Sequence, residues 1–268
     1  MDNIKKDLNK VSSSKKINDT SWNKVAGWYD EMLESGEGTY QKDLILPNVL
    51  RLLDVKKGEK VLDLGCGQGF FSREVFKVGA EVVGVDLSKN LIDLAIKHSP
   101  KEIKFVVAPA DKLGFVDGGT QDAVLCISAI QNVKNVAGLF SESFRTLKIG
   151  GRMLIVMNHP AFRIPKRTSW GFDEVTRFQY RRVDEYLSES VSEINMTPGS
   201  DSFVSTVSFH HPLQFYFKAL TKAGFLIGRL EEWNSGKTSQ PGPRANAENK
   251  ARKEFPLFLT LEVIKFKA

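Results

Sequence analysis

Apolar and polar positions along this chain follow two periods, and the two periods alternate from Lys60 onward. Short apolar runs typical of buried strands alternate with stretches that place apolar residues at helical spacing. This alternation predicts parallel strands joined by right-handed crossovers, with Gly150 and Gly151 turning the chain before the fifth strand. The predicted strands are 61–64, 82–85, 103–108, 123–127 and 152–157, and the predicted helices are 71–78, 90–97 and 136–147.

Different patterns lie before and after this alternating part. We expect residues 1–20 to form a mobile leader, and helices over 21–33 and 43–53 to cap a ligand of the first strand. Residues 21–157 then make up the cap helices and the ligand-binding half of the domain. The closing elements within 212–268 are a helix over 212–222, strands over 225–233 and 257–266, and a polar loop over 234–253.

Residues 158–211 interrupt the alternation and predict an insertion. Apolar residues between Phe172 and Tyr186 have helical spacing, and two alternating runs over 191–196 and 203–209 predict a β-hairpin. We expect this helix and hairpin to form a lid over the acceptor side of the strand ends. The predicted fold class is therefore α/β, with a doubly wound, seven-stranded, mostly parallel sheet and an inserted helix plus β-hairpin lid.

Composition narrows the class of protein further. The chain has 268 residues and a formal charge of +6, but much of the excess lies in the leader and near residues 244–253, and the charges of the insertion cancel. A nucleic-acid partner is therefore not favoured. No segment predicts a secretory signal or a membrane span, and two isolated cysteines predict neither a disulfide framework nor a zinc site. We expect a cytoplasmic protein without a membrane partner.

Three alternate glycines, Gly65, Gly67 and Gly69, follow the first strand and lead directly into a helix. Glycines let the backbone turn tightly and approach a ligand closely, although a plain strand-to-helix turn has the same pattern. The spacing differs from a dinucleotide fingerprint, because residue 70 is Phe. Asp63 and Asp86 stand at the ends of neighbouring strands, which suits a ligand with a cationic amine and a ribose.

These motifs together resemble those of the class I S-adenosylmethionine-dependent methyltransferases, in the small-molecule branch grouped as type 11. The resemblance is carried by Val61–Gly69, by Val82–Ser88, by Ala108–Asp111 and by the glycine pair before the fifth strand. It implies S-adenosyl-L-methionine as cofactor and a last strand antiparallel to the others. The cofactor-binding residues that it implies are Tyr29, Asp63, Gly65, Cys66, Gly67, Gly69, Asp86, Leu87, Ala110, Asp111, Ser128 and Gln131.

The same resemblance implies a role for each residue. The Gly65–Gly69 backbone lines the methionyl part, Asp63 holds its amino end, and Asp86 takes the ribose hydroxyls. Leu87 packs on adenine, Ala110 and Asp111 contact the adenine edge, and Ser128 and Gln131 flank the sulfonium. Two of these residues have alternatives: Asp111 as a helix or turn cap, and Tyr29 as a core residue rather than a lid.

The acceptor chemistry is less defined. His159 and His210 are candidate general bases, with His211 as a further candidate, although each can also occupy a plain turn or helix start. A metal site is not expected, because the fourth strand ends in Ser128 rather than in a carboxylate. Aromatic residues in the insertion favour a small, apolar or aromatic acceptor, although hydrophobic packing of a small subdomain explains the same residues equally well. The alternatives are an RNA or protein methyltransferase, or a non-catalytic binding module of the same fold.

Overall fold

The computed structural model of the chain describes residues 20–35, 39–196 and 204–267, so the predicted leader lies almost entirely outside the described residues. The strands are β1 Lys60–Leu64, β2 Glu81–Asp86, β3 Lys104–Val107, β4 Gln121–Ile127, β5 Leu147–Asn158, β6 Thr168–Phe172, β7 Gln179–Val183, β8 Ser190–Asn195, β9 Ser205–His210, β10 Phe225–Trp233 and β11 Phe258–Lys265. The α-helices are α1 Ala26–Ser35, α2 Leu46–Leu53, α3 Phe70–Lys77, α4 Lys89–His98, α5 Val136–Thr146, α6 Leu213–Ala223 and α7 Ala245–Glu254. A 3₁₀ turn over Ser21–Lys24 precedes α1, and a π-helical turn over Gln41–Ile45 leads into α2.

Seven strands form one sheet in the order β10-β11-β5-β4-β1-β2-β3. Strands β1 to β5 pair in parallel, and β11 runs antiparallel to both β5 and β10. The doubly wound, mostly parallel sheet is therefore confirmed, as is the antiparallel last strand. The chain first proceeds from β1 to β2 and β3, and then returns to place β4 on the other side of β1. Ligands of such sheets bind at the carboxyl ends of the strands beside this reversal.

The central strands are apolar on both faces because helices cover both. In β4, Val124 and Cys126 pack with β5, α5 and α6, whereas Ala123 and Leu125 face the cluster that contains α2 and α3. All four side chains are fully buried. A strand that is buried on both faces has consecutive apolar residues in its sequence. The sequence pattern could therefore predict the strands of this sheet.

The glycine pair before the last parallel strand does not make the predicted turn. Strand β5 already begins at Leu147, and Gly150 lies inside it with a φ of 80°. The register between β4 and β5 shifts at this point, from Gln121 opposite Leu147 to Ala123 opposite Arg152. The glycines therefore accommodate an irregularity within a paired strand rather than a connection between two elements.

The helix predicted between Phe172 and Tyr186 is wrong. Strands β6 and β7 form an antiparallel hairpin there, with Trp170 opposite Arg181 and Phe172 opposite Gln179. The Arg181 guanidinium lies 4.9 Å from the centre of the Trp170 ring, a cross-strand contact that stabilises the pair. Each strand has only five residues, too few to reveal a two-residue period, and the aromatic residues spaced along both strands imitated a helical stripe.

The second hairpin of the insertion is confirmed as β8 paired with β9. The chain between the two strands, over residues 197–203, lies outside the described residues. The polar loop predicted over 234–253 contains α7, of which only Ala251 is buried. A helix with so little apolar surface has no stripe for a sequence pattern to detect. Among the residues that the structure describes, no helix has the length and apolar character needed to cross a bilayer.

Candidate cofactor and acceptor site

The turn after β1 is shaped by backbone conformations that only glycine adopts easily. Gly65, Gly67 and Gly69 have φ angles of 71°, 57° and 85°. At Gly65 a Cβ atom would lie 2.4 Å from the Cβ of Ala129, which follows β4. The N–H groups of Gly65 and Cys66 both donate to the Val85 carbonyl, at 2.7 and 3.1 Å. The turn is thus held between the ends of β2 and β4, at the reversal of strand order.

Asp86 connects the glycine turn to the start of α4. One carboxylate oxygen accepts a hydrogen bond from the Gly67 N–H at 3.0 Å, and the other accepts from the Ser88 N–H at 2.8 Å. Burial raises the pKa of Asp86, and these backbone donors oppose the rise. Each oxygen keeps a further lone pair, so the carboxylate can accept hydrogen bonds from the two hydroxyls of a ribose.

Asp63 lies beneath the turn and is 1% exposed. The Ser72 hydroxyl donates to it at 2.6 Å. Burial raises the pKa of Asp63 to about 6, the Ser72 hydrogen bond opposes this rise, and the charge of Asp86 adds to it. A buried carboxylate with such a pKa is stabilised by a cation, so Asp63 suits the amino end of a methionyl group, directly or through water.

The segment before the sheet covers this turn. The Tyr29 ring on α1 lies 3.5 Å from the position that a Cβ of Gly67 would take, and Trp22 packs edge-on against it. Burial, with the charges of Asp86 and Asp63 adding to it, raises the pKa of Tyr29 to about 12. Side-chain contacts hold the segment in place, from Asn23 to Ser88, from Asp30 to His98, and from Glu34 to Gln68 and Arg73. Tyr29 is therefore part of a cap over the turn.

The remaining predicted cofactor residues lie around the same strand ends. Leu87 follows β2 and is half-buried, and Ala110 packs against the core. Asp111 accepts a hydrogen bond at 2.7 Å from the side chain of Asn135, which itself caps α5. Asp111 thus has one oxygen engaged in supporting a helix start, and its position beside Ala110 is compatible with both roles considered for it. Cys66 is buried beneath the turn, and burial raises the pKa of its thiol.

Ser128 and Gln131 follow β4, between the glycine turn and a cleft under the insertion. Ser128 has a φ of 54°, its N–H donates to the Val156 carbonyl, and its own carbonyl accepts from the Gln131 amide at 2.7 Å. The Gln131 Oε1 atom is buried and has no hydrogen-bond partner in the described part of the chain. An unpaired acceptor at this position is available to a ligand donor.

A cleft begins at Gln131 and lies between the carboxyl ends of β4 and β5 and the insertion. The Asn132 side chain donates to the Val207 carbonyl of β9 at 2.7 Å and so ties the insertion to the end of β4. Because Gln131 is two residues from Ala129, which packs against Gly65, the cleft adjoins the glycine turn. The polar and aromatic residues that line it include Gln131, His159, Arg163, His210, His211 and Tyr216.

His159 has both ring nitrogens occupied. Nδ1 accepts from the N–H groups of Ala161 and Phe162, at 3.1 and 3.3 Å. Nε2 therefore carries the proton and donates to the Glu232 carboxylate at 2.7 Å. Burial lowers the pKa of His159, although Glu232 opposes this. These contacts fix the turn that follows β5 and leave neither nitrogen free for a substrate proton.

His210, at the end of β9, has a different arrangement. Nε2 lies 2.9 Å from the Tyr186 carbonyl, which can only accept, so this nitrogen carries the proton. Nδ1 then has a lone pair, and burial lowers the pKa of the ring, which favours the neutral form. The neighbouring His211 stacks on Phe215 with ring centres 3.9 Å apart, and its Nδ1 lies 3.4 Å from Glu189. Sequence reasoning missed Arg163 and Tyr216 as lining residues of this cleft and the Tyr186 carbonyl as the partner of His210, because only the fold brings these residues together.

Comparison with known proteins agrees with this geometry. Residues 62–155 match a family model described as a methyltransferase domain. This part of the chain is therefore similar to a methyltransferase domain. The resemblance to class I S-adenosylmethionine-dependent methyltransferases is thereby confirmed for the part of the chain that contains the glycine turn, Asp86, Asp111 and Gln131. Tyr29, His159, Arg163 and His210 lie outside the matched residues.

Relatives of the methyltransferase domain include enzymes with small substrates. Over 110 residues the chain is 38% identical to phosphoethanolamine N-methyltransferase 3 of Arabidopsis thaliana, covering 39% of this chain and 22% of that protein. Over 113 residues it is 34% identical to demethylmenaquinone methyltransferase of Tropheryma whipplei, covering 41% and 46%. The chain thus spans less than half of the length of these two relatives.

A solved structure covers much more of the chain. It is an S-adenosylmethionine-dependent methyltransferase from Mesorhizobium loti, with a TM-score of 0.67 and 26% identity. The likeness covers 84% of this chain and 100% of that one. The matched architecture therefore extends beyond residues 62–155, and these likenesses support S-adenosyl-L-methionine as the cofactor.

Proposed function

We propose that this chain is an enzyme that transfers a methyl group from S-adenosyl-L-methionine to a small organic acceptor and releases S-adenosylhomocysteine. The observation that carries the proposal is the adjacency of a glycine turn and a cleft. The turn, bridged by Asp86, lies at the reversal of strand order, and the polar cleft begins at Gln131 beside it. The turn suits a nucleoside joined to an amino acid, and an acceptor would approach its sulfur from the cleft.

The described residues fit the cofactor. Asp86 would hold the ribose, Leu87 and Asp111 the adenine, and Asp63 the amino end, with Tyr29 closing over the turn. When bound, the cofactor supplies a methyl group on a positively charged sulfur, which is an activated electrophile. The chain then needs to orient the acceptor, exclude water and accept a proton where the acceptor has one to lose.

His210 is the base that we propose. Its Nδ1 lone pair, set by the bond from Nε2 to the Tyr186 carbonyl, would accept the proton of an acceptor hydroxyl or amine. The acceptor's electron pair would form the new bond to the methyl carbon while the carbon–sulfur bond breaks and its electron pair stays on sulfur, and the proton would pass from His210 to solvent. His159 is better suited to hold the turn after β5, because both of its nitrogens are engaged.

A small acceptor is favoured over a macromolecule. The cleft is enclosed between the sheet and the insertion, and Arg167, Arg177 and Arg182 of the insertion are paired with acidic side chains. The curated relatives carry the names of small-molecule methyltransferases. Both cysteines are free and buried, which fits the cytoplasmic location that the composition favours.

Titration calorimetry with S-adenosylhomocysteine tests the proposal. We expect the chain to bind it, and Asp86→Ala to weaken binding by roughly a hundredfold, since hydrogen bonds to a charged group contribute about 1.5–3 kcal/mol each. The control is Asp93→Ala on the exposed face of α4, where the carboxylate pairs only with Lys89. Equal affinity of both variants, or no binding by the unaltered chain, would contradict the proposed cofactor site.

A further inference from the structure

Arg163 is exceptional among the half-buried arginines of the described residues. The others donate hydrogen bonds to protein acceptors: Arg73 to Glu34 and Gln68, Arg145 to Glu142 and two carbonyls, Arg152 to Glu59 and a carbonyl, Arg181 to a carbonyl and Thr168, and Arg252 to Ser239. The Arg163 guanidinium instead lies over the Phe258 ring, 5.2 Å from its centre. It makes no hydrogen bond and no ion pair with any residue that the structure describes.

The five N–H donors of the Arg163 guanidinium have no acceptor among the described residues, so they are available to a ligand. The pKa of Arg163 is lowered chiefly by burial, the Arg181 guanidinium adds to this, and only the Tyr40 hydroxyl opposes it. The carboxylates of Glu232 and Glu189 contact His159 and His211, and neither pairs with Arg163. No described residue therefore neutralises the positive charge on this side of the cleft.

The position of Arg163 is also fixed. The backbone N–H of Arg163 donates to the His159 carbonyl at 2.9 Å. The His159 ring is itself held by Glu232 and by the two backbone N–H groups that donate to Nδ1. Phe258, beneath the guanidinium, pairs with Asn158 at the carboxyl end of β5. The turn after β5 thus fixes the position of Arg163 at the carboxyl ends of the strands. Arg163 lines the same cleft as Gln131 and His210.

We propose that Arg163 binds an oxyanion of the methyl acceptor, either a carboxylate or a phosphate, so that the acceptors of this chain are small organic anions. This inference rests on the proposed function and names its substrate class. The planar guanidinium can bind two oxygens of either group at once. The anion then anchors one end of the acceptor, and the group to be methylated lies toward Gln131 and His210.

Binding to the chain loaded with S-adenosylhomocysteine tests the inference. The probes are two matched pairs, benzoate with benzamide and phenyl phosphate with phenol, and they separate the carboxylate from the phosphate. We expect one anion to bind more tightly than its neutral partner. Arg163→Met should weaken that anion by roughly ten- to a hundredfold, the range for hydrogen bonds to charged groups, and leave its neutral partner unchanged. Arg163→Lys should lie between the two, because it keeps the charge and loses the paired donors.

The matched control is Arg167→Met, an exposed arginine of the same insertion that pairs with Glu185. Thermal unfolding of both variants shows whether lost binding reflects lost folding. Anion binding that is unchanged in Arg163→Met, or neutral probes that bind as tightly as the anions, would overturn the inference. A chain that binds S-adenosylhomocysteine and neither anion contradicts the inference alone. A chain that binds an anion through Arg163 and not S-adenosylhomocysteine contradicts the proposed function alone.

Discussion

The two halves of the site satisfy their polar groups in different ways. Around the glycine turn, Asp86 has hydrogen bonds from two backbone N–H groups, and Asp63 has one from Ser72. In the cleft, Gln131 Oε1 and His211 Nε2 are buried without a hydrogen-bond partner in the described residues, and His211 Nδ1 has a contact of 3.4 Å with Glu189. The turn is therefore preorganised by the chain itself, whereas the cleft has unmet hydrogen-bonding capacity that an acceptor can fill.

This difference predicts separate losses when each half is altered. The largest effect is expected in the cleft, where His210→Ala should reduce turnover by roughly 10²–10⁴-fold, the usual contribution of a general base. Binding of S-adenosylhomocysteine should not change. The control is His211→Phe, which preserves stacking on Phe215 and should cost much less activity. Equal turnover of His210→Ala and the unaltered chain would remove His210 from the mechanism.

The same residue predicts a pH dependence. Because burial lowers the pKa of His210 below its ordinary value of 6.5, the ring is neutral and able to accept a proton at pH 7. Turnover should therefore be constant near neutral pH and fall as the pH drops through a value below 6.5. His210→Ala should lose this acid limb in a profile of kcat against pH. A limb that persists unchanged would assign the titration to another group.

Gly65→Ala alters the glycine turn and leaves the residues of the cleft unchanged. The new Cβ would lie 2.4 Å from Ala129, in a backbone conformation with positive φ. Strain and overpacking of this kind cost about 2–4 kcal/mol. We expect binding of S-adenosylhomocysteine to fall by roughly the corresponding factor, with a lowered melting temperature. Gly114→Ala is the control, since nothing lies within 4 Å of its new Cβ. Tight binding by Gly65→Ala would show that the turn is less rigid than its geometry indicates.

Asp63→Asn separates binding from stability within the turn. The folded-state pKa of Asp63, about 6, is above its ordinary value of 3.8, so the folded chain holds this proton more tightly than the unfolded chain. The protonated Asp63 therefore contributes its full stabilisation of the folded chain below pH 3.8. This contribution is lost as the pH rises through 6, by about 3 kcal/mol in total. We expect Asp63→Asn to stabilise the ligand-free chain at pH 8, with a smaller gain at pH 5, and to weaken cofactor binding. Chemical denaturation at both pH values measures this, and a destabilised variant at pH 8 would contradict it.

The smallest effect is expected from the cap. Arg73 joins α3 to Glu34 on α1 and to the Gln68 side chain of the glycine turn. Arg73→Met should weaken S-adenosylhomocysteine binding by about three- to tenfold, since the net contribution of such hydrogen bonds is about 1 kcal/mol. Lys89→Met removes an exposed ion pair on α4 and should have no measurable effect. Equal affinities for the two variants would show that the cap is held by its apolar contacts alone.

The same contrast explains what the sequence reveals. The turn is local: an apolar strand, three glycines and an acid at the next strand end occupy residues 61–86, and their spacing predicts the arrangement. The bond from His210 to the Tyr186 carbonyl joins residues 24 positions apart, and the contact of His159 with Glu232 joins residues 73 apart. No local pattern encodes such pairs. The sequence gives still less indication that Arg163 has no partner among the described residues, because the charges of the insertion balance in number and only their placement leaves this one unpaired.

Secondary structure shows the same limit. Strands β4 and β5 were visible because both faces are buried, whereas β6 and β7 are short, half-exposed strands whose aromatic spacing imitated a helix. Helix α7 was not predicted because, unlike β4 and β5, it buries almost no surface; only Ala251 of this helix is buried. Sequence patterns identify elements by the surface that they bury, so elements at the periphery of the sheet are the ones that they miss.

A crystal structure of the chain with S-adenosylhomocysteine tests the central claim most directly. The account predicts both ribose hydroxyls within hydrogen-bonding distance of the Asp86 carboxylate and the sulfur facing the cleft at Gln131. Density for the compound at any other place, or a ribose that does not contact Asp86, would contradict it.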